Sequence, residues 1–538
     1  MDDSKPQRAL VFQGGGSLGA YEAGVFHVLY HWIKKDLPEN ENIYDIIAGT
    51  SIGAINASII INCYLENKEK YRKNNDIDKS NKLKYWKGTP ERTIEFWNSI
   101  SSSIPLYDVP ALAYKNIWDF NKNMAVLMLP YFRNFIESVA SGESFRRYYS
   151  TKKRIFYGEP NVFWPKFFSP FPTPIFNKFF DYSPTAIWYQ YSNVPFGNSI
   201  QEFANKLEDN INNDRNKPKG IETDGKENDP RLLLIVANIE TGKSEAFDSF
   251  ENNITLKHVL ASAAIPINYP YMQINGKKYW DGGILSNTPV RELISKHNTF
   301  WTRKYNSDLE STLDKENKLS FKKFDDYYHI QEENKIPNLL LDIVNLHPDK
   351  ETGNQIPSLY DYDMTKDRMN DIQFHDKTEY DVKISLAVSD YHDFVKDMTK
   401  LAKDAIEEIN EDNTKVSNLK DKFRDIINCK QRTLTRNKEP RYYYDLIGKR
   451  FDIERVIKIQ RRDDIHTISD KIFDFSSITI SNLIREGEKD ALDEIVKHET
   501  GEEIYSKLNK FIDDVKTENT NHDIHILDYA NKILKKYQ

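Results

Sequence analysis

The sequence predicts an α/β fold built on a parallel sheet, and three observations carry that prediction. Two short apolar runs, Arg8 to Gln13 and Ile43 to Ala48, each end in glycine and lead directly into residues at helical spacing. Two later runs, Arg231 to Ala237 and Pro337 to Leu346, have the same buried-strand composition, the second read as the last strand of the sheet. Strand, turn, helix, strand is the order that yields parallel pairs with helices on the sheet faces.

The first strand stops at Gly14-Gly15-Gly16-Ser17-Leu18-Gly19. Leu18, Tyr21, Val25, Val28, Leu29 and Trp32 then recur at helical spacing. A glycine loop between a strand and a helix presents bare backbone N–H groups to an anion. Gly14, Gly16 and Gly19 also satisfy G-x-G-x-x-G, but a dinucleotide site wants an acidic residue at the end of the second strand. That strand ends instead in Ala48-Gly49. The remaining anion is the tetrahedral oxyanion of acyl transfer, since two consecutive parallel strands put both turns on one sheet edge.

Gly49-Thr50-Ser51-Ile52-Gly53 fits G-x-S-x-G. A serine at a strand-to-helix elbow sits on strained backbone, and flanking side chains would collide with it. Ser51 is therefore read as a nucleophile beside a helix N-terminus, with Gly49 and Gly53 supporting the turn. The uncharged window from Ile46 to Leu65 spans 20 residues but holds two glycines and five polar side chains. A core strand, elbow and core helix explain it better than a membrane span.

Further along, residues 66–90 read as a surface excursion and Arg92 to Trp97 as a helix. Between Phe163 and Phe196 there are 13 aromatics in 34 residues, where the chain-wide 13% predicts four or five. Prolines break any long helix there. The stretch is expected to pack its rings inward, or to act as a cap that shapes an acyl pocket or touches a lipid interface. Asn210 to Asp229 reads as a loop and Thr255 to Ser262 as a helix. Asp281 stands at the end of an aromatic strand, before Gly282 and Gly283, which let backbone come close. Residues 303–335 are expected to be a charged surface insertion. From about 390 onward, apolar residues are sparse and helically spaced.

At 538 residues with 29% charged residues, the chain is of the soluble globular class and long enough for two to four domains. A net charge of −7 gives no argument for nucleic acid. Cys63 and Cys429 are the only cysteines, so neither a disulfide framework nor a cysteine metal site is expected, and a reducing compartment fits. No metal or other cofactor is expected. The acidic opening Met1-Asp2-Asp3 is not read as a secretory signal. A cytoplasmic protein, peripheral to membranes at most, is the expectation.

Three segments together resemble the patatin-like phospholipases. Gly14 to Val25 is similar to their oxyanion motif, Gly49 to Asn56 to their nucleophile elbow, and Trp280-Asp281-Gly282-Gly283 to Pro289 to their aspartate motif. Asp367 to Phe374 and Asp474-Phe475-Ser476 resemble a bacterial-type branch with a helical C-terminal extension. The resemblance implies a three-layer α/β fold with a mostly parallel central sheet, and a catalytic domain over residues 8–390. That domain would hold the aromatic-rich insertion at about 100–200, followed by a helical extension over 391–538. Many family members carry Lys or Arg where this chain has Leu18, so a cation beside the oxyanion is missing.

The resemblance further implies a lipid acyl-ester hydrolase with a Ser-Asp dyad. Ser51 would attack, Asp281 would take its proton, and N–H groups of the Gly14, Gly15, Gly16, Ser17 and Gly19 loop would hold the oxyanion. A free aspartate near pKa ~3.9 is a poor base for a hydroxyl, and burial would raise it. A Ser-His-Asp hydrolase would instead recruit His258, His297, His347 or His375. A silent lipid-binding module is the non-enzymatic alternative. Head group, acyl length and oligomeric state are not legible.

Overall fold

Strands β1 (Gln7–Phe12), β2 (Ile46–Thr50) and β5 (Arg231–Asn238) are buried almost end to end, as their unbroken apolar runs require of strands covered on both faces. The computed structural model describes residues 5–73, 81–129, 131, 142–165, 191–207, 220–310, 318–326, 336–348, 362–375, 378–409, 414–434, 440–446, 451–462, 467–499, 502–518 and 524–536. Elements are numbered in chain order. β1 pairs parallel with β2, from Ala9 opposite Ile46 to Phe12 opposite Gly49. β2 pairs parallel with β5, from Ile46 opposite Arg231 to Thr50 opposite Ile235. β6 (Lys243–Asp248), β7 (Met272–Ile274) and β8 (Lys277–Asp281) complete one side with antiparallel pairings. The order is β12-β9-β1-β2-β5-β8-β7, with β6 on β5.

β9 (Leu339–Asn345) is not the last strand, contrary to the sequence reading. β12 (Ile453–Gln460) lies outside it, at the sheet edge. Its sequence, IERVIKIQ, is charged and only half buried. An edge strand needs few apolar residues, so its signal is weak. The C-terminal region is otherwise mainly helical, with a small hairpin of β10 (Lys430–Leu434) and β11 (Pro440–Tyr442).

The chain divides into two units, and the division falls within β1, β9 and β12. The larger comprises Ala9–Pro289, Asp342–Asp376 and Ile457–Gln538. Its core joins β1, α1 (Gly19–Lys34), α2 (Ile52–Lys73) and α4 (Thr89–Ile100) to α13 (Ser477–Lys497), α14 (Glu502–Glu518) and α15 (Ile524–Leu534). α1 and α13 touch at two glycines. A Cβ on Gly24 would stand 2.0 Å from the Ile484 carbonyl oxygen, and one on Gly487 2.1 Å from that of Tyr21. Buried His27 bonds Glu488 across this contact at 2.8 Å.

Residues 66–90 are less of a surface excursion than expected. α2 continues to Lys73, and Tyr85 and Trp86 of the short helix α3 (Leu83–Trp86) are buried against Tyr64. Residues 100–165 contribute α5 (Pro105–Met128) and α6 (Gly142–Tyr157). Of the 13 aromatics counted above, Phe163, Trp164, Tyr191 and Phe196 are described, and the other nine lie outside the described residues. Phe163, Tyr191 and Phe196 are buried and Trp164 is exposed.

The smaller unit comprises Met1–Arg8, Val290–Leu341 and Lys377–Val456. It holds α9 (Val290–Glu310), α11 (Thr378–Glu408) and α12 (Thr414–Ile427). Residues 303–335 are not simply a charged surface insertion. α9 runs to Glu310, and Leu319 and Phe324 are fully buried with Phe423, Ile427 and Tyr444. Lys400 and Lys403 both reach Asp325. Residues 311–317 and 327–335 lie outside the described residues.

Candidate active site

Ser51 follows β2 directly and begins α2. Its φ is +56°, the left-handed region that a non-glycine residue adopts at a cost. The turn is tight because its flanks have no side chains. A Cβ on Gly49 would lie 2.3 Å from the Gly53 backbone, and one on Gly53 2.7 Å from Phe12. The Ser51 N–H donates to the Ser262 hydroxyl at 3.0 Å, and that hydroxyl donates to the Ile235 carbonyl at 2.6 Å. Ser262 ends α8 (Leu256–Ser262) and pins the elbow to β5.

Sheet register brings Asp281 to this point. Thr50 lies opposite Ile235, and the next residue of β5, Val236, lies opposite Asp281. Ser51 and Asp281 thus flank one position of β5 from its two sides, about two strand spacings apart. The Ser51 hydroxyl lies close enough to the Asp281 carboxylate to pull its pKa downward. Asp281 is 4% exposed. Burial pushes its carboxyl up to about 7, against the opposing pull of Ser51 and of a hydrogen bond from the Gly283 N–H. That N–H sits 2.7 Å from Oδ1. Gly282 packs on the Ile235 carbonyl with no room for a side chain.

The glycine loop stands over the same edge. Asn287 clasps the Gly14 residue on both sides, accepting its N–H at 3.2 Å and donating Nδ2 to its carbonyl at 3.1 Å. A Cβ on Gly14 would fall 3.0 Å from the Ser51 Cβ. Gln13 braces the loop from below. Its Oε1 accepts the Leu346 and His347 N–H groups, and its Nε2 donates to the Thr288 hydroxyl at 2.8 Å. Gly16 has φ +58° and meets the Ile472 backbone. The N–H groups of Gly15, Gly16 and Ser17 find no acceptor among the described residues. Gly19 packs on Ile52 and Trp97. Its carbonyl accepts from Asn56 Nδ2, which also donates to buried Glu22, while Asn56 Oδ1 accepts from Trp97 Nε1. Burial holds the Glu22 carboxyl well above the usual range.

Gly16 and Ser51 open onto an apolar pocket of about 40 Å³, counted as space for the centre of a water-sized sphere. α2 supplies Ile52 and Ile55, the α8 side Leu260 and Ile265, and the aromatic stretch Val162, Phe163 and Phe196. Ile472, Phe473 and Phe475 close it from the C-terminal region.

A family model for patatin-like phospholipases matches residues 10–294, just over half of the chain. The chain belongs to the patatin-like phospholipase family. Among solved structures it resembles VipD from Legionella pneumophila at 13% identity and a TM-score of 0.29, over 99% of this chain and 76% of that one. No curated protein matches. The family acts on lipid acyl esters, which is the substrate class that membership assigns to this patatin-like chain.

Among the described residues no histidine bonds either Ser51 or Asp281. His258 takes part in a capping box with Thr255, and burial lowers it to about 4. His297 bonds the Pro337 carbonyl, and His347 bonds Asp371. The His375 N–H bonds the Asp371 carbonyl. No group of three His, Cys, Asp or Glu side chains among the described residues gathers as metal ligands. Sequence reasoning singled out none of Ser262, Gln13, Glu22 or the clasp made by Asn287. Asn287 and Glu22 fell within the aspartate and oxyanion motifs, but neither was given a role.

Proposed function

We propose that this patatin-like protein hydrolyses lipid acyl esters of the phospholipase A or lysophospholipase type with a Ser51-Asp281 dyad. One observation carries the reading: a serine on a strained elbow faces a buried aspartate across one position of β5, at the edge of an apolar pocket, and burial pushes that carboxyl up to about 7.

The ester carbonyl sits over Ser51 with its acyl chain in the pocket. Ser51 Oγ attacks the carbonyl carbon as its proton passes to Asp281. The resulting oxyanion lies under the Gly15, Gly16 and Ser17 N–H groups, which have no other acceptor among the described residues. Each such donor contributes roughly 3 kcal/mol in the transition state. Collapse breaks the bond to the leaving alcohol, which takes the proton from Asp281. Water then attacks the acyl-serine, giving a proton to Asp281. The second collapse frees the acid and returns the proton to Ser51. Leu18 is buried, so the loop works with backbone dipoles and no cation at that position.

The reading includes peripheral contact with a lipid surface by a cytoplasmic protein. Helix α5 exposes Leu106, Val109, Ile117, Phe120 and Leu127, each at least 59% accessible. No described helix is long and apolar enough to cross a membrane.

The test is an alkyl fluorophosphonate together with a panel of p-nitrophenyl esters, lysophospholipids and phospholipids. Wild type is expected to label and turn over. Ser51→Ala should do neither, and Asp281→Asn should lose about 10³-fold in kcat/KM. Labelling that survives Ser51→Ala overturns the assignment.

A further inference from the structure

We propose that the C-terminal strap over residues 471–475 sets the length of acyl chain that the site accepts, with Phe473 as the deciding side chain. This rests on the hydrolase reading above, but one of its two readouts does not depend on turnover. The family match ends at residue 294, yet Ile472, Phe473 and Phe475 form one wall of the pocket that begins at Ser51.

The strap is held at both ends, so its rings have a fixed backbone to stand on. The Ser17 hydroxyl of the glycine loop donates to the Lys471 carbonyl at 2.8 Å. Buried Lys471 Nζ pairs with Asp371 at 2.8 Å and Asp367 at 3.1 Å, both on α10 (Tyr362–Phe374). At the other end the Phe475 carbonyl accepts the Ser102 N–H at 3.2 Å. The Asp474 carboxylate accepts the Ser476 and Thr479 hydroxyls at 2.7 Å each.

Phe473 is the wall's adjustable member. Phe163 and Phe475 are buried at 1% and 4% exposure and belong to the core. Phe473 is only partly buried. Its ring leans on Phe163 with centroids 5.9 Å apart and on Tyr191 at 6.3 Å. Trimming it therefore enlarges the pocket more than it removes core. The pocket has room for about three water-sized groups. An acyl chain that runs from Ser51 along the pocket meets this wall. A methylene that does or does not fit changes the specificity constant by about 10-fold or more.

The experiment measures kcat/KM on p-nitrophenyl acetate, butyrate, octanoate, laurate and palmitate for wild type, Phe473→Leu and Phe473→Ala. Wild-type kcat/KM should fall at least tenfold beyond one chain length in this series. Phe473→Ala should raise the octanoate-to-butyrate ratio about tenfold, with Phe473→Leu between. A purely structural role would lower every ester by one factor, and that result, or an unchanged profile, overturns the proposal. The second readout is displacement of a fluorescent fatty acid by saturated fatty acids of two to sixteen carbons, from Ser51→Ala and from Ser51→Ala/Phe473→Ala. A shift toward longer chains in the double variant supports the wall even if wild type hydrolyses nothing, which would count against the hydrolase reading alone. No shift in binding overturns the wall while leaving that reading intact.

Discussion

The serine elbow and the glycine loop are both glycine-rich turns at the ends of adjacent parallel strands, yet they are held by different means. The elbow is shaped first by its own neighbours, with Ser262 and Phe12 packed against it. Gly49, Ser51 and Gly53 lie within five residues, and the close approach between them forces the left-handed serine. The loop is made by distant chain. Gly14 is clasped by Asn287, Gly15 rests on Leu346 and Gly16 on Ile472. A side chain presented at one point can be strained into place locally. A row of bare amides has no side chains to anchor it, so the rest of the fold must hold it.

Four variants put this difference to the test, in descending order of effect. Gly53→Ala forces a Cβ to within 2.7 Å of the Phe12 carbonyl oxygen, which cannot move without the strand. Loss of about 3 kcal/mol or more of stability by urea unfolding is expected, together with all ester hydrolysis. A stable, active Gly53→Ala protein would break the claim that the elbow is sterically built.

The second concerns pH. In the proposed dyad Asp281 would act as a base only when ionised, and burial pushes its carboxyl up to about 7, so kcat/KM should fall about tenfold per unit below pH 7. The sign for stability is opposite. An aspartate near ~3.9 in the unfolded chain releases its proton before the native one does. Native stability therefore declines as pH rises from about 4 to 7. Asp281→Asn removes that slope, and at pH 8 it should unfold later than wild type, by an amount on the order of a few kcal/mol. Thermal melts across pH 4 to 8 read it directly, and a wild type that gains stability over that range would count against the buried carboxyl.

The smallest effect separates the loop from the elbow. A Cβ on Gly15 would meet only the end of the Leu346 side chain, at 2.8 Å. Gly15→Ala should cost about 1 kcal/mol in stability. Asn287→Ala leaves the Gly14 carbonyl without its donor and should lower kcat about tenfold while the protein stays folded. Equal damage from Gly15→Ala and Gly53→Ala would erase the contrast between the two turns.

Much of the fold was legible in advance. β1, β2 and β5 are long apolar runs, and central strands carry that signature because both faces are covered. β12 was not legible, because IERVIKIQ at a sheet edge buries only Ile457 and Ile459 fully. Leu319 and Phe324 fall within a stretch whose charge hides two buried side chains, so the sequence reads it as a charged insertion. At the site, Ser51, Asp281 and the glycines were legible as motifs. Ser262, Gln13 and Glu22 were not, since a lone polar residue in an apolar context carries no sign of what it will bond.

The amino-acid order alone determined which turns could form, because backbone sterics at glycine and the burial of apolar runs act over a few neighbouring residues. Only the tertiary structure decided that Asp281 and Ser51 flank one position of β5, that burial raises the Asp281 carboxyl, and that the strap at 471–475 lines the pocket. Those properties depend on register and desolvation between residues far apart in the chain, and neither partner's local sequence contains them.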